Sequence, residues 1–123
     1  MGHSPNDILT HAALSAICEE IIFRGVIIGA FGCCIFYLFK QIQNKVFVDY
    51  LLVLISSLIF ATLHTTNFTA SDFISMNGIL FILGKFLAGI VYGVGYIRVQ
   101  KNLYSPIIAH FLYDCISLIL LSA

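Results

Sequence analysis

Residues 12–39 read AALSAICEEIIFRGVIIGAFGCCIFYLF, a stretch of 28 residues in which Glu19, Glu20 and Arg24 are the charged side chains. As a helix with a rise of ~1.5 Å per residue, this stretch is long enough to cross the ~30 Å hydrocarbon core of a bilayer. It lacks the strict alternation of polar and apolar residues that a strand of a membrane barrel needs. Residues 12–39 therefore predict a membrane-spanning helix with ionisable groups near its middle.

The composition of the whole chain agrees with this prediction. Of the 123 residues, 60% are hydrophobic and 10% are charged, with six charges of each sign. Soluble domains have about 25% charged residues, and disordered chains have low hydrophobicity, so both classes are excluded. Zero net charge without a basic patch excludes nucleic acid as a partner. The expected partner is the lipid bilayer.

Three more apolar runs follow the first, at residues 46–65, 79–99 and 106–122. Together the four runs predict an all-α polytopic membrane protein, with about four transmembrane helices in a bundle around a buried polar site. We interpret residues 1–123 as a single integral membrane domain, either a minimal unit or part of a longer protein. The small-residue spacings at Gly25 and Gly29, and at Gly89 and Gly93, predict close helix packing within this chain.

Basic residues are found in alternate connections between the runs. Lys40 and Lys45 fall in the first connection, and Arg98 and Lys101 fall in the third. The N-terminal segment, the second connection and the C-terminus contain no Lys or Arg. By the positive-inside rule, this pattern predicts a multi-pass protein of a cell membrane with both termini extracytoplasmic.

Five of the 12 charges lie in the interior of the apolar runs, more than four residues from either end, although each costs a few kcal/mol near the bilayer centre. Glu20 and Arg24 are four residues apart and share a helix face, whereas Glu19 is rotated by about 100° from that face. His110 and Asp114 are also four residues apart. Three of the spans thus each present ionisable groups on a single side of the helix.

Each feature also has an explanation without chemistry. The acid–arginine pair of the first span fits a structural salt bridge, and the His110–Asp114 pair fits a buried hydrogen bond. His64, near a helix end, fits an interfacial residue. Lys85 fits a side chain that reaches the outer interface or pairs with an acid. Because these groups recur on three spans, we favour a common polar site inside the bundle.

Three short motifs occur in order on separate apolar runs: EExxxR at residues 19–24, FxxxH at residues 60–64 and HxxxD at residues 110–114. In this order they resemble the CPBP intramembrane proteases, also called Abi or CAAX prenyl protease-like proteins. The resemblance covers about residues 12–122. It implies a multi-pass endopeptidase that hydrolyses a peptide bond in or near the membrane, in a membrane-associated or lipidated peptide or protein.

The resemblance also implies a role for each motif residue. Glu19 would activate the attacking water, and His64 would assist it or share a metal. Glu20 and Arg24 would hold the first helix and orient Glu19.

His110 and Asp114 would stabilise the tetrahedral oxyanion. An ionised Asp has no proton to donate, so Asp114 is protonated, orients His110 or ligates a metal. A divalent metal such as zinc, held by Glu19, His64 and His110, and a mechanism that uses glutamate alone both stay open at this point.

Two other hypotheses compete with proteolysis. One is a non-catalytic bacteriocin self-immunity or membrane scaffold protein with the same fold, and the other is a proton or ion pathway. The depth of these side chains in the membrane is a further question. Upright spans would place His110 roughly 10–20 Å from Glu19 and His64 along the membrane normal, at ~1.5 Å per residue. We nevertheless expect the three groups to meet.

Overall fold

The computed structural model of the chain describes residues 5–42 and 44–122, with side chains described between residues 9 and 117. Within these ranges every regular element is helical, which confirms the predicted all-α polytopic architecture. The elements are α1 (Pro5–Glu20), a π-helical segment (Ile21–Ala30), α2 (Phe31–Leu38), α3 (Lys45–Leu63), α4 (Ala70–Ile74), α5 (Met76–Arg98) and α6 (Tyr104–Ser122).

Three stretches in the described part of the chain are long and apolar enough to cross a membrane: Leu9–Leu38, Lys45–Leu63 and Met76–Arg98. The first comprises most of α1 together with the π segment and α2. In the π segment the bonding shifts by one residue, and the backbone N–H of Phe31 bonds the carbonyl of Val26, five residues back. The fourth predicted span coincides with α6, whose side chains are described only as far as residue 117.

Helices α3 and α5 pack closely because glycines of α5 face α3. A Cβ added at Gly89 would lie 2.9 Å from Cβ of Ser57, and one added at Gly93 would lie 2.8 Å from Cγ1 of Val53. Small residues four apart permit such an approach in membrane bundles. The predicted packing of Gly89 and Gly93 within the chain is confirmed.

The connection between α5 and α6 turns sharply. Gln100 and Lys101 both have positive φ, 58° and 62°, a conformation that side-chain-bearing residues adopt at a cost. Two contacts compensate for it. The Lys101 N–H donates to the carbonyl of Tyr96 at 2.8 Å, and its Nζ lies 2.8 Å from Oδ1 of Asp49 on α3. The turn is therefore held by both the backbone and the side chain of Lys101.

Because of this turn, α6 begins inside the bundle, beside the π-helical segment. Cδ1 of Leu103 lies 3.5 Å from the position of a Cβ at Gly25, in the π segment well away from the end of α2. His110 follows seven residues later, about 10 Å along the helix. It thereby reaches Glu19, with 3.8 Å between Nε2 and Oε2. Upright spans would have kept His110 away from Glu19, and the two side chains meet because α6 does not begin level with the end of α2.

The connection between α3 and α5 contains the short helix α4, outside the three spanning stretches. The Thr69 hydroxyl, and then its backbone N–H, donate to Oδ2 of Asp72 at 2.6 and 2.7 Å and hold the pKa of that carboxyl below its ordinary value. Because the pKa of Asp72 is lowered, its ionisation stabilises the folded state at pH values above the unfolded pKa of about 3.9. This contribution is lost as the pH falls through the pKa of the folded state. At neutral pH the hydrogen bonds between Thr69 and Asp72, which cap the N-terminus of α4, are therefore intact.

We expect Gly89→Ala to lower the free energy of unfolding by about 1–3 kcal/mol, because the new methyl group would overlap the Ser57 backbone. Gly84 is a matched control on the same helix, since a Cβ there meets nothing within 4 Å. Gly84→Ala should raise stability by about 0.5–1 kcal/mol through helix propensity alone. Denaturant unfolding in detergent micelles measures both variants, and equal stabilities would contradict the packing of α5 on α3.

Candidate active site

A fully buried ion pair lies at the centre of the bundle. Nη1 of Arg24 is 3.0 Å from Oε1 of Glu20, and both side chains have no exposed surface. Nη2 of Arg24 donates to the carbonyl of Gly89 on α5 at 3.0 Å. Three aromatic rings surround the guanidinium, with centroids 5.3 to 5.8 Å from Cζ: Phe23, Phe60 and Tyr92. The pair thus connects the first helix to α5 without contact with lipid.

The same carboxylate oxygen of Glu20 fixes His110. Nδ1 of His110 donates to Oε1 of Glu20 at 2.9 Å, and the ring stacks on Tyr92 at 5.1 Å between centroids. Nδ1 is the donor in this bond. The other ring nitrogen, Nε2, faces the carboxylates of Glu19 and Asp114. A carboxylate behind a histidine in this way sets both its tautomer and its orientation.

Glu19, one residue before Glu20, points in a different direction. The hydroxyl of Ser15 donates to its Oε1 at 2.6 Å. Its Oε2 is buried and has no hydrogen-bond partner among the described residues. Ser15 was not predicted from the sequence, although a hydroxyl four residues before Glu19 on the same helix was a usable signal. One oxygen of Glu19 is therefore held, and the other is available.

His64 occupies the C-cap of α3 and reaches Glu19 from a third helix. Its Nδ1 donates to the carbonyl of Phe60 at 2.8 Å, which leaves Nε2 directed at Oε2 of Glu19, 3.8 Å away. The Phe60 ring packs against the imidazole, with 4.4 Å between centroids. The FxxxH spacing thus supplies both a backbone acceptor and a packing surface for the histidine.

The four remaining motif atoms converge on one small volume. Nε2 of His64 and Nε2 of His110 each lie 3.8 Å from Oε2 of Glu19, and Oδ2 of Asp114 lies 3.6 Å from Nε2 of His110. These distances are too long for direct hydrogen bonds and suit polar groups that share a water molecule. The structure therefore brings together all six of the predicted site residues: Glu19, Glu20, Arg24, His64, His110 and Asp114.

A metal ion fits this arrangement less well than a shared water molecule does. Each histidine has its Nδ1 fixed by an oxygen acceptor, as metal-ligating histidines do. Yet no group of three or more His, Cys, Asp or Glu side chains in the described ranges is spaced to hold a metal ion. Glu19, His64 and His110 would be the ligands if these residues moved closer together.

Two further contacts of the site were not predicted. The Gly89 carbonyl accepts from Arg24, and the Tyr92 ring stacks on His110. The glycine spacing in α5 was a signal for the first, since a small residue lets a neighbouring helix approach its backbone. Nothing in the sequence distinguishes Tyr92 from the other tyrosines.

Removing one partner of the buried pair should be far more damaging than removing both. Arg24→Met leaves the Glu20 carboxylate buried without its guanidinium, and we expect a loss of about 3–5 kcal/mol in the free energy of unfolding. Glu20→Gln combined with Arg24→Met should recover part of that loss. The control is Lys101→Met, which breaks a partly exposed pair with Asp49 and should cost below ~1 kcal/mol. Denaturant unfolding of the four proteins tests the pair, and a double variant as unstable as Arg24→Met would contradict it.

A family model described as "Type II CAAX prenyl endopeptidase Rce1-like" matches residues 3–116, nearly the whole chain. Searches of the curated proteins and of the solved structures gave no match. The match includes all three motifs and confirms the resemblance that they predicted. Together with the apolar helices, it identifies the chain as an integral membrane protein of a protease family. The chain belongs to the Rce1-like family of type II CAAX prenyl endopeptidases.

Proposed function

We propose that this protein is an intramembrane endopeptidase in which Glu19 activates a water molecule for attack on a peptide bond. One observation carries the proposal. Oε2 of Glu19 has no hydrogen-bond partner among the described residues, and Nε2 atoms of two histidines from other helices each lie 3.8 Å from it. A carboxylate with one oxygen fixed and the other facing two imidazoles suits general base catalysis.

In the first step, a water held between Oε2 of Glu19 and the two imidazoles attacks the carbonyl carbon of the substrate. Glu19 takes one proton from the water as the new C–O bond forms. Ser15, bonded to Oε1, keeps Oε2 directed at the water. His64 accepts a second hydrogen bond from the same water through its Nε2 lone pair, since its proton is on Nδ1.

In the second step, the negative charge that develops on the carbonyl oxygen is stabilised by His110. With Glu20 behind its Nδ1, a protonated His110 donates to the oxyanion from Nε2. Oδ2 of Asp114 lies 3.6 Å from the same Nε2 and orients the ring through a shared water. Glu19 then returns its proton to the leaving nitrogen, the C–N bond breaks, and the products are a carboxylic acid and an amine.

The proposed substrate is a membrane-associated or lipidated peptide or protein. The name of the family and the position of the site inside an apolar bundle support this class. In the reaction as proposed, Glu19 and the two imidazoles act on water; a divalent metal such as zinc, if one is bound, would be held by Glu19, His64 and His110. From the basic residues we further infer that both termini are extracytoplasmic.

Glu19→Ala should lower the rate of cleavage of a membrane-associated reporter peptide by about 100-fold to 10,000-fold, since it removes the base. Glu19→Gln, of the same shape, should be equally inactive. The matched control is His11→Ala, which removes an exposed histidine from the same helix and should leave the rate unchanged. The measurement is product formation by purified protein in lipid vesicles.

Two arms of this experiment separate the alternatives. Equal cleavage by wild type and Glu19→Ala would contradict the proposal and favour a non-catalytic immunity or scaffold role. A metal chelator should leave wild-type activity intact. Loss of activity that is restored by a divalent ion would instead assign Glu19, His64 and His110 as ligands.

Asp114→Asn should keep activity within about tenfold of wild type, because an amide of the same size still orients His110 and adds a donor for the oxyanion. Asp114→Leu should lower kcat by roughly 100-fold or more through loss of that orientation. Both variants should retain the wild-type unfolding midpoint within a few degrees. Equal rates for Asn and Leu at position 114 would show that the side chain has no part in the reaction.

A further inference from the structure

Tyr92 contacts the candidate site from α5 but has no role in the proposed reaction. Its side chain is buried, with 6% of its surface exposed. The ring stacks on the imidazole of His110, with 5.1 Å between the centroids and 20° between the two planes. Aromatic rings at this separation prefer offset stacking of this kind over a perfect face-to-face arrangement. The face of one ring of α5 therefore lies against the histidine that stabilises the oxyanion in the proposed reaction.

The hydrogen bond of His110 does not by itself fix the plane of its ring. Nδ1 of His110 donates to Oε1 of Glu20 at 2.9 Å, which restrains one atom of the imidazole. The second side-chain torsion of a histidine is broad, so the ring can still turn while this bond is kept. Such a turn moves Nε2, and a donor stabilises an oxyanion only when it points at it. A second contact is needed to hold Nε2 in one direction.

The Tyr92 ring supplies this second contact and is itself held in place. Phe60 touches the same imidazole almost perpendicularly, with 5.9 Å between the centroids and 74° between the planes. Two rings in different orientations leave His110 little freedom to turn. Cζ of Arg24 lies 5.4 Å from the Tyr92 centroid, and this arginine belongs to the fully buried ion pair with Glu20. The Tyr92 ring thus connects the most rigid part of the bundle to the imidazole.

We propose that Tyr92 is a positioning residue that fixes the plane of the His110 imidazole and so directs Nε2 at the reacting atoms. The inference rests on the proposed protease function, and Tyr92 acts in it through His110. Nε2 lies 3.8 Å from Oε2 of Glu19 and 3.6 Å from Oδ2 of Asp114, so a turn of the ring would change both distances. The aromatic face of Tyr92 carries this role. Its loss should therefore lower kcat and leave KM nearly unchanged.

The competing explanation is that Tyr92 only fills space between helices. Tyr96 allows a comparison, because it lies four residues further along α5 and is 4% exposed. Tyr96 packs in the hydrophobic core with Ile28 and Val53. Removal of either tyrosine ring leaves a cavity beside α5 and should destabilise the fold. Only the removal of Tyr92 also frees His110, so the two positions separate stability from orientation.

The kinetic test compares three variants in lipid vesicles with a membrane-associated reporter peptide. Tyr92→Leu should lower kcat by about 10- to 100-fold, since a displacement of ~1 Å at a reacting group can cost that much. Tyr92→Phe keeps the ring and should keep kcat within about threefold of wild type, as should the matched control Tyr96→Leu. Equal kcat values for Tyr92→Leu and Tyr96→Leu would overturn the inference. An equal loss of kcat in Tyr92→Phe and Tyr92→Leu would overturn it as well.

A spectroscopic measurement tests the stacking without catalysis. A proton over the face of an aromatic ring is shifted upfield in the NMR spectrum, and the His110 signal is identified by its loss in His110→Gln. The shift should persist in Tyr92→Phe and in Tyr96→Leu and disappear in Tyr92→Leu. An unchanged shift in Tyr92→Leu would overturn the inference, and so would loss of the shift with unchanged kcat. Cleavage by Glu19→Gln at the wild-type rate would instead contradict the proposed function, and the NMR comparison would still test Tyr92.

Discussion

The bundle depends on one oxygen atom, Oε1 of Glu20. It contacts Nη1 of Arg24 at 3.0 Å and accepts from Nδ1 of His110 at 2.9 Å, and Arg24 in turn donates to the Gly89 carbonyl. A buried charge without a partner costs several kcal/mol, so these groups are constrained to remain together. Because they come from the first helix, α5 and α6, satisfying one carboxylate fixes the relative position of three elements. The geometry of the candidate site therefore follows from a requirement of stability.

Two adjacent glutamates show how environment separates the roles of identical side chains. Consecutive residues on a helix differ by about 100°, so one faces the interior of the bundle while its neighbour faces His64 and His110. Glu20 has no exposed surface and is bonded to a cation, whereas the Glu19 side chain is 27% exposed and faces two imidazoles. The change to π-helical winding begins directly after this pair, and such winding is frequent at functional sites. One glutamate orients a histidine, and the other has an oxygen without a hydrogen-bond partner among the described residues.

Much of this arrangement was predictable from sequence, for reasons that apply to particular residues. The spacing of Glu20 and Arg24 predicted their ion pair, and hydropathy predicted the helices. The vertical position of His110 was not predictable, because hydropathy indicates which residues are in the membrane but not how far one helix is shifted along another. That shift depends on the positive φ of Gln100 and Lys101 and on the contact of Leu103 with Gly25. The tautomers of the histidines likewise depend on partners that only the folded chain provides.

Four of the charges inside the spans form two groups. Glu20 and Arg24 neutralise each other, and Glu19 and Asp114 face His110. The first group has no exposed surface and holds the helices together, whereas the Glu19 and Asp114 side chains are 27% and 24% exposed. Stability and the candidate site therefore depend on different carboxylates. His110 contacts both groups, so it couples the candidate site to the buried pair.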